Sequence, residues 1–116
     1  MMNAERFARI KKAFERNGGI IDQSEEAQRL LKYHGAEAAT FNAKTIVLKP
    51  NPSNAEVFEE FIHTAQYRTG RATGANIVEM EIEAAQKLLR FADRYGLKIE
   101  EQEAIRNRLN HLLMIY

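Results

Sequence analysis

The sequence predicts a mostly helical α+β domain, with about five helices and one small antiparallel β-hairpin, over residues 1–116 as a single domain. Three observations predict it. Apolar residues recur at helical spacing in five stretches, most of them bounded by a capping residue or a glycine. Residues 36–49, AEAATFNAKTIVLK, instead concentrate Ala, Thr, Phe, Ile and Val, a strand-like composition. The connections are short and no internal repeat or low-complexity tract interrupts them.

Asn3 to Arg16 reads as the first helix, with Phe7, Ile10, Ala13 and Phe14 on one stripe. Asn17-Gly18-Gly19 stops it, and Ile20-Ile21 reads as a short extended piece. Asp22 opens a second helix, with Asp22 and Glu25 at capping-box spacing and Ser24 as a rival cap. That helix ends at Gly35, and its Lys32-Tyr33-His34 cluster suits the negative end of the dipole. The hairpin follows, pairing residues 38–41 with 44–49 across Asn42-Ala43. Pro50-Asn51-Pro52 then forces extended backbone. Ser53 and Glu56 form an S-x-x-E capping box that starts the central helix. A polar loop, Tyr67 to Gly74, leads to a helix from Asn76 to about Tyr95, ended by Gly96. The last helix runs from Glu100 to Tyr116, with Ile105, Leu109, Leu112, Leu113 and Tyr116 inward. The central helix is expected to lie between the sheet and the 76–95 helix.

Composition excludes several functions. The absence of cysteine removes disulfides, thiolate metal sites and a cysteine nucleophile. A net charge of +1 gives no long-range pull toward nucleic acid or anionic lipid, and few aromatics interleave with basic residues. No stretch approaches the roughly 20 apolar residues of a membrane span, and the amphipathic N-terminus lacks a secretory h-region. The expected location is cytoplasmic, and export by a specialised machine is compatible with the same sequence.

The chemistry concentrates on the central helix. At about 100° per residue, Ala55, Val57, Phe58, Phe61, Ile62 and Ala65 fill one arc. Glu59, His63 and Gln66 lie opposite, and Glu60 flanks them. Taken alone, Glu59 and His63 need be no more than a solvated i, i+4 pair worth about 0.2–0.5 kcal/mol. The next helix alters the balance. Its buried arc comprises Ile77, Met80, Ile82, Ala84, Ala85, Leu88, Leu89, Phe91 and Ala92, and Glu81 falls near its middle while Glu79 and Glu83 fall outside. A carboxylate aimed into a core needs a partner, which can be an arginine, a protonated histidine or a metal ion.

Glu59-Glu60-Phe61-Ile62-His63 keeps the spacing of H-E-x-x-H, with glutamate in place of the first histidine. Glu59 and His63 would be metal ligands, Glu81 a third ligand, and Glu60 the general base. Gln66, Glu83 and Arg71 would support the ligands or meet substrate. One divalent ion is expected, zinc first and manganese or iron less so, although two carboxylates and one imidazole make a weaker zinc site and one more tolerant of manganese or iron(II). A di-iron reading through Glu60-x-x-His63 ranks last, because the second E-x-x-H helix is missing. No Ser/His/Asp spacing stands out. Thr69–Gly74 lacks the G-K-[ST] ending of a P-loop, so it reads as a connector or substrate-side loop.

Gly18-Gly19-Ile20-Ile21, Glu25-Glu26-Ala27 leading into Leu30-Leu31, Pro50-Asn51-Pro52-Ser53, Glu59-Glu60-Phe61-Ile62-His63-Thr64-Ala65-Gln66 and Glu81-Ile82-Glu83-Ala84 follow one another in that order. The series resembles compact zincin-like domains of bacterial polymorphic toxin and phage-associated proteins, over about residues 18–95. The resemblance implies a metal-dependent hydrolase acting on a peptide or protein, with metal and base roles at Glu59, Glu60 and His63. It leaves open which glutamate of the downstream E-x-E-A pair takes part, and the wheel favours Glu81. The alternative is a non-catalytic interaction or regulatory module of phage- or toxin-associated type. In it, Glu59, His63 and Glu81 form a buried polar network with an arginine such as Arg68 or Arg71.

Overall fold

The structure is a computed structural model and describes residues 1–116. Six helices and three strands follow one another as α1 (Ala4–Arg16), β1 (Ile20–Asp22), α2 (Glu25–His34), β2 (Ala38–Asn42), β3 (Thr45–Leu48), α3 (Asn54–Arg68), α4 (Ile77–Arg90), α5 (Ala92–Tyr95) and α6 (Ile99–Ile115). This is the helix-rich α+β architecture that the periodicity predicts. The expected hairpin is present, with β2 antiparallel to β3 and a register shift between Thr40 and Asn42.

The sheet has a third strand. The extended piece at Ile20–Asp22 pairs parallel to β3, giving the order β1-β3-β2. β3 is therefore central and buried on both faces, and alternate residues serve different layers. Ile46 and Leu48 join Met2, Ile21 and Val57 in a core beneath α1 and α3. Val47 points the other way, onto Ala27 and Leu31 of α2. A third cluster, Ile62, Ala84, Ala85, Leu88, Ala92, Leu97 and Ile105, joins α3 to the C-terminal helices. α3 thus lies between the sheet and α4, as expected.

Local chemistry sets the ends. Ser53 caps α3 reciprocally: its hydroxyl accepts from Glu56 N at 3.1 Å, and the Glu56 carboxylate accepts from Ser53 N at 2.8 Å. α2 starts two residues later than the Asp22 reading. Ser24 is its cap, accepting from Ala27 N, while Asp22 ends β1 and accepts from Ser24 N. A Cβ at Gly19 would meet the Phe14 ring at 2.5 Å, so glycine lets α1 fold back against β1. The Glu101 carboxylate accepts from both Lys98 N and Ala55 N, which ties the start of α6 to the first turn of α3.

Three expectations are corrected. The 76–95 helix is two helices, broken at Phe91, with no proline or glycine to mark the break; it coincides with Tyr95 stacking on Phe58 at 4.4 Å. The apolar end of α6 does not face inward: Leu113 and Tyr116 are exposed, because α6 outruns the elements it packs on. Ile77 is 63% exposed, because the first turn of α4 borders a groove instead of the core. No helix is long and apolar enough to cross a membrane.

Candidate functional site

The polar face of α3 and the first turns of α4 form two walls of an open groove, and the edge strand β2 forms a third. The groove holds about 350 Å³, and Thr40, Glu59, Glu60, His63, Gln66 and Glu81 all reach it. Met80 lies 14 positions on from Gln66, the chain returning so that α4 packs on α3, and Gln66 Nε2 donates to Met80 O at 3.0 Å.

His63 is the hub. Its Nε2 stands 3.1 Å from Glu81 Oε1, and its Nδ1 stands 2.8 Å from Gln66 Oε1. Gln66 is 2% exposed and its amide nitrogen donates to Met80 O and to Glu83 Oε1, both at 3.0 Å. Those two acceptors orient the amide, so its oxygen faces His63 and Nδ1 must carry the proton. While the ring is charged, Nε2 donates to Glu81; when it loses a proton, Gln66 favours the tautomer that keeps Nδ1–H and bares Nε2. Glu83 in turn pairs with Arg71.

The three sequence-derived ligands converge. Glu59, His63 and Glu81 offer ligand atoms that all lie within 4.8 Å of one another, and the group can hold a metal ion. Bonds of about 2.0–2.2 Å to a tetrahedral ion require ligand atoms roughly 3.3–3.6 Å apart, so the set would have to draw closer together around an ion. The donors on offer are two carboxylate oxygens and one imidazole nitrogen.

The site differs from the helical-wheel picture in which carboxylate is buried. Glu81 was expected in the core, but its side chain is one-third exposed on the groove wall. Glu60, placed by the wheel on the flank of the polar face, is 4% exposed. The reason is β2. The strand lies over that flank of α3, and Thr40 Oγ1 donates to Glu60 Oε1 at 2.8 Å. Burial pushes the Glu60 carboxyl up to about 7; the Thr40 hydrogen bond opposes this, and the neighbouring Glu59 adds to it. Burial also works against the charged form of His63, but hydrogen bonds to Glu81 and Gln66 outweigh it and raise the ring to about 9. Glu81 is lowered below its ordinary value, chiefly by the hydrogen bond from His63.

Two participants were not anticipated. Thr40 arrives through the β2–α3 packing, and no spacing rule links residues 40 and 60. Arg108, on α6, pairs with Glu59. The arginines named from the sequence lie elsewhere: Arg71 reaches the site only through Glu83, and Arg68 is exposed and forms none of the ion pairs. Asn76 holds the N-cap position of α4, but its side chain makes no capping bond and instead pins the preceding loop, accepting from Thr73 N and Oγ1 and donating to Arg71 O. No protein-family model, curated protein or solved structure matches the chain.

Proposed function

We infer that the chain is a small metal-dependent hydrolase, peptidase-like and of the zincin-like type suggested by the series of motifs between residues 18 and 95. The observation that supports it is the convergence of Glu59 and His63 from α3 with Glu81 from α4 in one open groove, with the Glu60 carboxyl alongside. His63, Glu59 and Glu81 would hold one divalent ion, with zinc the first choice and manganese or iron(II) less suited. When bound, such an ion supplies Lewis acidity and makes a water nucleophilic near neutral pH. Gln66 keeps Nε2 as the ligand nitrogen of His63. Glu60, with its carboxyl at about 7, is matched to taking up and returning a proton at neutral pH. Tyr67, Ile77 and Met80 line the same groove and give a peptide side chain an apolar wall.

A second reading is favoured by a specific observation. Glu59 pairs with Arg108, and Glu81 pairs with His63, so both carboxylates already have a cationic partner in the fold. In this reading the chain is a non-catalytic interaction or regulatory module of phage- or toxin-associated type, and the network serves stability. Melting with and without a chelator, together with cleavage of an unfolded protein substrate by wild type and Glu60→Gln, separates the two. The hydrolase reading expects a lower melting temperature in chelator and cleavage that Glu60→Gln abolishes. Equal melting temperatures and no cleavage leave only the second.

A further inference from the structure

The Glu59–Arg108 pair supports an inference about how the site is regulated, and it rests on the metal-centre reading above. Arg108 comes from α6, 49 positions along the chain from Glu59. It meets a carboxylate that is also one of the three candidate ligands. Arginine usually grips a carboxylate through two parallel N–H bonds. Here Nη2 alone binds Glu59, and the buried Nε has no partner at all. The seat is an imperfect one, and an unpaired buried donor favours release.

We propose that Arg108 is a displaceable internal cation: it neutralises Glu59 while the ligand set is unloaded, and it must leave Glu59 before a divalent ion is held. Glu59 and Glu81 bring two negative charges, which a divalent ion balances. A guanidinium kept in contact would add a third positive charge, and like charges at such range repel. Arg108 also has somewhere to go. Its side chain is 40% exposed. It lines a cleft of about 340 Å³, on the α6 side of Glu59, that Glu56 and Glu101 also line. In that cleft Glu56 keeps one carboxylate oxygen outside its bond to Ser53 N, and α6 is docked independently through Ile105 and the Glu101–Ala55 bond. The site thereby carries its own competitor, and metal uptake is coupled to the position of the Arg108 side chain.

Calorimetric titration of zinc and manganese into wild type and Arg108→Gln tests this. Removing the competitor is expected to tighten binding at least about tenfold, with Arg108→Lys closer to wild type. Equal or weaker affinity in Arg108→Gln would show that Arg108 merely positions Glu59, and would overturn the proposal. A second measurement needs no variant. The Arg108 Nε–H resonance of wild type should shift and exchange faster with solvent at saturating zinc, and an unchanged resonance overturns the proposal. If neither wild type nor Arg108→Gln takes up metal, the metal-centre reading itself fails, a result distinct from binding with unchanged affinity.

Discussion

His63 Nε2 lies 3.1 Å from Glu81 Oε1, across the junction of α3 and α4. The contact joins residues 18 positions apart and sets the charge state of both. His63 is raised to about 9 and Glu81 is lowered. A proton titration of the His63 ring by NMR, on metal-free protein, should therefore show a midpoint near 9. Glu81→Gln removes the charge that holds the proton, and the midpoint should fall toward the ordinary histidine range. A midpoint unchanged by Glu81→Gln would show that the contact does not govern the ring.

The same groups predict how stability depends on pH. The folded chain holds the His63 proton more tightly than the unfolded chain. This contribution is complete below about 6.5 and is lost as pH rises through about 9. Glu60 acts in the same direction. Its folded value near 7 lies above the ordinary 4.5, so the fold loses stability between those two values and bears the full cost of the buried charge above them. Glu60→Gln should accordingly match wild type at pH 4.5 and exceed it at pH 9 by up to about 3 kcal/mol in urea unfolding. Parallel curves for the two proteins across that range would contradict the assignment.

Gln66 is the positioning residue. It contributes one acceptor to His63 and two donors to α4. Gln66→Leu fits the same space but leaves Nδ1 of His63 and the Met80 carbonyl without their partner. A loss of about 1–3 kcal/mol is expected from calorimetric melting. The ring nitrogen shifts at high pH should also change from one dominant tautomer to a mixture. Preservation of a single tautomer in Gln66→Leu would remove Gln66 from this role.

The sequence made the framework legible where local chemistry decides it. The Ser53–Glu56 capping box, the hairpin and the polar face of Glu59, His63 and Gln66 are all set within a few residues, and each is present. The spacing also brought out Glu81 as the neighbour of His63. What the wheel misjudged was depth. It treats a helix as facing one core, whereas α3 is covered on two sides, so the strand at Thr40 buries Glu60 while the groove leaves Glu81 partly open. Arg108 was not legible at all, because its link to Glu59 depends on where α6 docks. The β1 strand was seen as extended, but three residues give no sign of a parallel partner.

We propose that Glu59, His63 and Glu81 together hold one divalent ion. Native mass spectrometry of wild type, His63→Ala and Glu81→Gln after equilibration with zinc addresses it directly. One zinc ion per wild-type chain is expected and none on either variant, with all three chains folded by circular dichroism. A wild-type chain that carries no zinc, or variants that carry as much as wild type, would contradict it.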